Sequence, residues 1–206
     1  MKEIATNSYS YQDIFALMCY SEKGINQKSP GTFVDIGCYF SDKFSNIKTL
    51  LDCGWSGMGF DINPDILPSW EEYSDRIEIH IVDVVENMNK VNEEILKLPD
   101  IIDYLNVDVD GYPCQYVVEN LDFKNKQYRC ITIEHDEYRF GDIYKKAQRN
   151  ILEPLGYEIV IQNAAEDWYV KPELIKKQFL NTLRKVPKDY VQCDENLHEI
   201  RKYLNF

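Results

Sequence analysis

The chain has 206 residues, of which 44% are hydrophobic, and its composition keeps one character from end to end. This length suits a single domain with a buried core, which we expect at about residues 30–172, with an N-terminal helical segment at 1–30 and a C-terminal helical extension at 173–206. The 35 acidic and 23 basic side chains give a formal net charge of -12, which argues against a nucleic-acid backbone as the main partner.

The sequence also argues against a membrane span, a secretory signal and a structural zinc site. No stretch approaches the roughly 20 apolar residues that cross a bilayer, and the first residues lack the charged-then-apolar pattern of a signal peptide. We therefore expect a cytoplasmic protein. The six cysteines include no CxxC pair and the chain has only three histidines, so free thiols are favoured over a structural zinc site.

The first predicted elements are a helix and then a strand–turn–helix–strand unit. Residues 9–20 carry apolar side chains at helical spacing, and residues 33–36 form a short apolar strand that Gly37 follows. Residues 43–53 predict a helix, and residues 58–60 lead to Asp61 as a second strand. A glycine after the first strand lets a ligand approach the backbone, and an acid about 20 residues further on can bind ribose hydroxyls. The unit therefore predicts half of a nucleotide-binding βαβ fold.

Strands and helices continue to alternate downstream. Residues 65–73 predict a short helix, 77–82 a strand, 84–98 a helix, 101–107 a strand, 115–121 a helix, 130–133 a strand and 142–155 a helix. Residues 157–161 and 168–170 predict a closing antiparallel pair, and 172–206 predict peripheral helices or a partly mobile tail. This alternation predicts an α/β fold with a mostly parallel sheet covered by helices on both faces.

An acidic side chain closes each of five successive predicted strands. Because the carboxyl ends of parallel strands meet at one edge of the sheet, we expect these acids to surround a ligand site. A single acid at a strand exit is often a turn former or helix cap, but five in succession are hard to explain in that way. The acids are Asp35, Asp61, Asp83, Asp108, Asp110 and Glu134.

Several short motifs occur in a fixed order along residues 9–172. They are SYQD at 10–13, FVDIG at 33–37 with SN at 45–46, GWSG at 54–57, DINP at 61–64, DVDG at 108–111, ITIEH at 131–135, LGY at 155–157 and DWYVKP at 167–172. As an ordered set they resemble the FkbM family of S-adenosylmethionine-dependent methyltransferases, many of which are taken to methylate sugar hydroxyls. The resemblance implies a Rossmann-like class I methyltransferase fold, with a mostly parallel seven-stranded sheet and a C-terminal antiparallel strand.

The resemblance also implies S-adenosylmethionine as the cofactor. The implied cofactor-binding residues are Asp35, Gly37, Cys38, Ser41, Asp61, Ile62, Asp83 and Asp108. Among them, the turn of Asp35, Gly37 and Cys38 would receive the methionine part. Asp61 would hold the ribose, and Asp83 would lie near the adenine. Carboxylates suit these places because each accepts two hydroxyl hydrogen bonds and favours a nearby sulfonium cation.

The loop after the first strand departs from the family pattern. Ser41 replaces the second glycine, and Tyr39 and Phe40 occupy the loop. If the backbone kept the positive φ of that glycine, Ser41 would be strained. The loop therefore either bends differently or binds the cofactor less tightly. The two aromatic residues either cover the ligand or pack, and packing is the commoner role of aromatic residues in loops.

The implied reaction is methyl transfer to a hydroxyl of a sugar, a glycan or another small molecule, which needs a group that takes the hydroxyl proton. The catalytic candidates are His135, a residue type that titrates near neutral pH, and the carboxyl groups of Asp108 and Glu134. Asp108, Asp110 and Glu134 are also the predicted ligands of a Mg²⁺ ion that would acidify the acceptor. The alternative for His135 is a hydrogen-bonded structural residue.

Two other functional classes stay open. The Ser41 departure fits a catalytically impaired protein that keeps the methyltransferase fold as a binding module. One glycine followed by a distant acid also fits a nicotinamide-dependent oxidoreductase, although the GxGxxG motif is absent. The sequence leaves open whether the protein forms a homodimer.

Overall fold

The computed structural model describes residues 6–21 and 30–185, in which strands alternate with helices. In chain order the elements are α1 (Gln12–Tyr20), β1 (Thr32–Ile36), α2 (Lys48–Asp52), β2 (Ser56–Asp61), β3 (Ile77–Ile81), α3 (Met88–Ile95), β4 (Ile101–Val107), α4 (Tyr112–Asn120), β5 (Gln127–Glu134), α5 (Glu137–Phe140), α6 (Ile143–Leu152), β6 (Glu158–Gln162), β7 (Glu166–Val170) and α7 (Lys177–Leu183). Two 3₁₀ helices lie at Pro64–Tyr73 and Pro172–Leu174.

The seven strands form one sheet in the order β3-β2-β1-β4-β5-β7-β6. The pairs among β1 to β5 are parallel, whereas β7 is antiparallel to both β5 and β6. The chain leaves β1 towards β2 and β3 on one side and then returns to β4 on the other. Such a reversal opens a crevice beyond the carboxyl ends of β1 and β4, where sheets of this kind bind ligands. The predicted mostly parallel seven-stranded sheet is confirmed.

Two apolar cores lie on the two faces of the sheet. Side chains alternate along β1, so that Phe33 packs in one core and Val34 and Ile36 pack in the other. The first core takes apolar residues from α1, α2 and α7, and the second takes them from α3, α4 and α6. Because both faces are covered, the polar ends of the strands are left as the place where a ligand can reach the backbone.

The predicted elements differ from the observed ones mainly in their bounds. The helix predicted at residues 43–53 is confined to α2, and the one at 65–73 is a 3₁₀ helix that contains Pro68, which has no N–H to donate. The helix predicted at 84–98 begins only at α3, because Asp83 Oδ1 accepts the N–H of Val85 and folds residues 83–87 into a turn. α5 was not predicted, since four residues carry no periodic signal.

Parts of the predicted N-terminal segment, at residues 1–5 and 22–29, and the end of the predicted C-terminal extension, at 186–206, lie outside the described residues. Of that extension, the described part contains α7, whose Leu180 and Leu183 pack in the first core. Among the described residues, no helix is both long and apolar enough to cross a bilayer.

Candidate functional site

A cavity of about 540 Å³ lies at the carboxyl ends of β1, β2, β3 and β4. Cavities of roughly 300–1,000 Å³ are typical of small-molecule and cofactor sites. The loops after the four strands line the cavity with Asp35, Gly37, Cys38, Tyr39, Lys43, Phe44, Ser45, Asn46, Phe60, Asp61, Ile62, Val82, Asp83, Val84, Val85, Asp108, Val109, Asp110 and Pro113. Five of the six acids predicted at strand exits thus line one cavity. The sixth, Glu134, does not line it but lies next to Asp108 and Asp110.

Gly37 joins the ends of three strands at the base of the cavity. Its φ is +91°, and a Cβ built on it would lie 1.9 Å from the carbonyl oxygen of Asp108. Its N–H donates to the carbonyl oxygen of Phe60 at the end of β2, at 2.8 Å. Only glycine meets both conditions, because other residues avoid this φ and their Cβ would collide with the backbone of the chain after β4.

Ser41 does not line the cavity, which corrects its prediction as a cofactor-binding residue. In this loop the positive φ falls on Tyr39, at 49°, and not on Ser41. Ser41 is buried, its N–H donates to Ser69 Oγ at 3.0 Å, and its hydroxyl donates to the Ser69 carbonyl oxygen. The loop therefore bends differently from the family pattern, and Ser41 fastens it to the 3₁₀ helix. Of the two aromatic residues, Phe40 packs against the first core and Tyr39 lines the cavity.

Asp61 holds its carboxylate rigidly at the end of β2. Oδ2 accepts the N–H of Tyr39 at 2.9 Å, and Oδ1 accepts the N–H of Asn63 at 2.8 Å. A carboxylate offers about four acceptor positions, so each oxygen can accept a further donor from a ligand. The side chain of Ile62 beside it is 66% exposed and also lines the cavity. The arrangement suits a pair of neighbouring hydroxyl groups.

Asp83 and three valines form the far wall of the cavity. Asp83 Oδ1 accepts the N–H of Val85 at 2.9 Å and that of Glu86 at 3.3 Å, which fixes the loop after β3. Val82, Val84 and Val85 line the cavity beside it. An apolar wall next to a carboxylate suits a flat heterocycle that carries an amino group.

Asp35 is the most deeply buried acid of the cavity, with 1% of its surface exposed. Oδ1 accepts a hydrogen bond from Asn106 Nδ2 at 2.8 Å, but Oδ2 is enclosed and has no hydrogen-bond partner among the described residues. Burial, opposed by the Asn106 hydrogen bond and assisted by the charges of Asp108 and Asp61, raises the pKa of Asp35 to about 7. A buried carboxylate oxygen without a partner is costly, so a cation or a donor in the cavity would be favoured there.

Asp108 and Glu134 place two carboxyl groups within hydrogen-bonding reach of each other. Asp108 meets solvent at the cavity, and Glu134 Oε2 accepts the N–H of Asp110 at 3.0 Å. Burial and the nearby charge of Asp108 raise the pKa of Glu134 to about 9. Asp108 loses hydration on the side that faces the protein, and this loss, together with the charges of Asp110 and Asp136, raises the pKa of Asp108. Because two adjacent carboxylates repel, the pair keeps one proton at neutral pH.

Glu134 also belongs to a cluster of three carboxyl groups. Asp110, Glu134 and Asp136 each offer an oxygen, and these oxygens lie within 4.8 Å of one another. Arg139 Nη1 donates to Asp110 Oδ1 at 2.7 Å and to Asp136 Oδ2 at 3.1 Å. In the predicted metal set, Asp136 therefore takes the place of Asp108, which faces the cavity instead. The oxygen donors fit Mg²⁺, although Arg139 already brings a positive charge to them.

His135 does not reach the cavity, which corrects its prediction as the catalytic base. Its side chain is fully buried, Nδ1 accepts the N–H of Glu137 at 3.2 Å, and Nε2 lies 3.5 Å from Asp167 Oδ1. Neighbouring residues at a strand end point in opposite directions, so Glu134 turns towards the cavity side and His135 turns away from it. The alternative of a structural histidine agrees with this geometry.

Asn106 and Arg139, which hydrogen-bond to acids of the candidate site, were not predicted from the sequence. Asn106, which binds Asp35, could have been suspected because it is a polar residue inside the apolar run of β4. No sequence pattern indicated Arg139, since it lies on α5, which has only four residues.

No protein-family model matches the sequence, and no curated protein matches it. Among solved structures, human methyltransferase-like protein 13 in complex with SAH superposes with a TM-score of 0.50 at 14% identity, covering 94% of this chain and 90% of that one. A TehB-like SAM-dependent methyltransferase from Corynebacterium glutamicum gives 0.46 at 12% identity, covering 78% and 88%. Fibrillarin from Aeropyrum pernix with natively bound S-adenosyl-L-methionine gives 0.46 at 15% identity, covering 80% and 76%. At 14% identity the likeness to methyltransferase-like protein 13 concerns the fold alone, which is the Rossmann-like class I methyltransferase fold.

Proposed function

We propose that the protein is an S-adenosylmethionine-dependent methyltransferase that acts on a hydroxyl of a sugar, a glycan or another small molecule. The observation that carries the proposal is Asp61, whose carboxylate is held by two backbone N–H groups opposite the Gly37 turn, as a ribose-binding acid requires. The acceptor class and the assignment to the FkbM family rest on the resemblance of the ordered motifs.

The cavity residues fit this cofactor at three places. Asp61 would hold the ribose hydroxyls, and Asp83 with the neighbouring valines would hold the adenine. Asp35 would face the positively charged methionine part, because its Oδ2 is enclosed at the cavity and has no hydrogen-bond partner in the described part of the chain. When bound, S-adenosylmethionine supplies an electrophilic methyl group.

Asp108 is the group best placed to take the acceptor proton. It faces the cavity, it is ionisable, and its raised pKa brings it closer to neutral pH, where a general base is most effective. Glu134 holds the proton that the two carboxyl groups share and donates a hydrogen bond to Asp108. As the acceptor hydroxyl loses its proton, Asp108 takes that proton up, and its negative charge beside Asp110 and Asp136 is removed.

A cation bound by Asp110, Glu134 and Asp136 is a second version of this mechanism. Asp136 favours it, because Oδ1 is enclosed without a hydrogen bond of good geometry in the part of the chain that the structure describes. Such an ion would lower the pKa of the acceptor hydroxyl and would displace Arg139 from the two aspartates. Activity that survives EDTA and is unchanged by added Mg²⁺ would exclude this version.

The two other classes are less well supported. The strain at Ser41 that motivated an impaired binding protein is not found, because Ser41 has no positive φ. A nicotinamide-dependent oxidoreductase still lacks its glycine motif.

Titration calorimetry of the full chain tests the proposal. We expect micromolar or tighter binding of S-adenosylmethionine or S-adenosylhomocysteine, a loss of at least tenfold in Asp61→Ala, and no loss in Asp75→Ala, whose carboxylate is 74% exposed outside the cavity. Reduced nicotinamide dinucleotide should not bind. Folded protein that gives no heat with either adenosyl compound refutes the proposal. A panel of hydroxyl and amine acceptors, scored by release of S-adenosylhomocysteine, then identifies the acceptor class.

A further inference from the structure

A second group of metal-binding side chains lies outside the cavity, at the edge of the sheet. Glu78 and His80 on β3 and Glu94 on α3 each offer one ligand atom, and these atoms lie within 4.8 Å of one another. β3 is one of the two edge strands of the described sheet, and residues two apart on a strand point to the same side. The edge strand β3 and the helix α3 thus bring a histidine and two glutamates close to one point.

His80 supplies the observation that points to a ligand. Its Nε2 is enclosed by protein and makes no hydrogen bond of good geometry within residues 6–21 and 30–185, although it lies 3.3 Å from Glu78 Oε1. Enclosed polar atoms nearly always have a partner. Two atoms that bind one tetrahedral zinc ion at 2.0–2.2 Å are about 3.4 Å apart, close to the separation found here.

The surroundings hold these ligands in place. The imidazole of His80 stacks on Phe60 with ring centroids 5.0 Å apart and planes inclined by 15°, which fixes its orientation. The Glu94 side chain is only 17% exposed, and its Oε2 accepts a hydrogen bond from Lys97, which restrains the carboxylate beside His80. Lys97 is 61% exposed and can turn into solvent when a cation enters.

We propose that Glu78, His80 and Glu94 form a binding site for a divalent transition-metal ion, with Zn²⁺ as its best probe. Imidazole with carboxylate is a donor set that zinc accepts, whereas Mg²⁺ prefers oxygen ligands throughout. The ion would tie α3 to the edge strand, and through Phe60 it would support the wall of the cavity. Its ligands lie outside the cavity lining, so zinc binding can be tested whether or not the protein transfers methyl groups.

Calorimetry of the full, metal-free chain with ZnCl₂ tests the site. We expect one zinc ion to bind, a weakening of at least tenfold in His80→Asn and in Glu94→Gln, and a rise in melting temperature on zinc addition that both variants lose. Lys97→Ala should strengthen binding by removing a competing charge. The control variant Asp75→Asn, whose carboxylate is exposed and belongs to neither acidic cluster, should bind zinc as the wild type does.

Co²⁺ gives a second readout that identifies the ligands. Bound Co²⁺ should show weak visible absorption without the intense near-ultraviolet band of cobalt bound to thiolates, because no cysteine belongs to the site. The proposal is overturned if zinc does not bind, if His80→Asn and Glu94→Gln leave the affinity unchanged, or if the thiolate band appears. Should His80→Asn fail to fold, Glu78→Gln replaces it, since the Glu78 side chain is 62% exposed and tolerates the change.

Discussion

Asn106 on β4 donates a hydrogen bond of 2.8 Å from its side-chain amide to Oδ1 of Asp35 on the adjacent strand β1. The two residues are directly opposite in the parallel register of these strands. The bond holds one oxygen of a buried carboxylate and leaves Oδ2 without a partner among the described residues. The site therefore contains a preformed negative group that is costly until a cation arrives, and its pKa of about 7 places that cost in the physiological range.

The stability of the ligand-free protein should fall as the pH rises from about 4 to about 7. The folded pKa of Asp35 is raised above its unfolded value, so its contribution is fully present below about 4 and is lost as the pH rises through 7. A shift of about three pKa units corresponds to at most about 4 kcal/mol for a group this buried. Asp35→Asn should flatten the dependence of the free energy of unfolding on pH, as measured by urea denaturation. An unchanged slope in this variant would show that Asp35 titrates normally.

Cofactor binding should show the opposite dependence on pH. A positively charged methionine part is favoured by the ionised form of Asp35, so the affinity for S-adenosylmethionine should rise between about pH 6 and pH 8. Calorimetry across this range measures the effect. Asn106→Ala removes the hydrogen bond that lowers the pKa of Asp35, and it should move the rise to higher pH. A shift to lower pH, or no dependence at all, would contradict the assigned role.

Gly37→Ala should abolish cofactor binding and cost several kcal/mol of stability. The new Cβ would lie 1.9 Å from the Asp108 carbonyl oxygen, and the φ of +91° is unfavourable for alanine. Gly54 is a matched control, because its φ is +87° and a Cβ there would have no atom of another described residue within 4 Å, its chain neighbours aside. Gly54→Ala therefore carries the backbone strain alone, of roughly 1–2 kcal/mol, and should keep cofactor affinity. Equal losses of stability and of cofactor affinity in the two variants would mean that the close contact between Gly37 and the Asp108 carbonyl oxygen is not required.

Much of the fold could be predicted because each strand is an apolar run and each loop carries an acid or a glycine. The register between strands could not, and it is the register that sets Asn106 opposite Asp35. The sequence also does not show which way a side chain points at the end of a strand. His135 was therefore predicted at the cavity, although its side chain points towards Asp167. Arg139 lies on a helix of only four residues, too short to show a period.

Substitutions of the carboxyl pair should slow methyl transfer without preventing cofactor binding. Glu134→Gln leaves Asp108 in place but removes the shared proton, and we expect turnover to fall by about 10²-fold and the lower limb of the pH–rate profile to shift. The assay needs the acceptor found in the panel. His135→Asn should lower the melting temperature while leaving the pH–rate profile unchanged, since the ring is buried away from the cavity. A loss of the pH dependence in His135→Asn would restore the histidine as the base.

Asp13→Ala should destabilise the protein by about 2–4 kcal/mol. The fully buried Asp13 carboxylate accepts hydrogen bonds from Thr6 Oγ1 at 2.6 Å, Ser8 Oγ at 2.9 Å and the N–H groups of Asn7 at 3.0 Å and Ile14 at 2.8 Å. Removing it leaves these donors without an acceptor, and bonds to charged groups are worth about 1.5–3 kcal/mol each before compensation by water. Urea denaturation measures the change, and a cost below 0.5 kcal/mol would mean that residues 6–8 find water instead.

Ser41→Gly is the substitution that separates the family pattern from the geometry of this loop. If Ser41 were a replaced cofactor-binding glycine, restoring glycine should tighten S-adenosylmethionine binding strongly. Because Ser41 has no positive φ and bonds both to the hydroxyl and to the carbonyl group of Ser69, we expect no gain in affinity and a loss of about 1 kcal/mol in stability. Ser41→Ala removes the hydroxyl without adding backbone freedom, so it should lose slightly less stability. A tenfold gain in affinity in Ser41→Gly would mean that the loop rearranges when the cofactor binds.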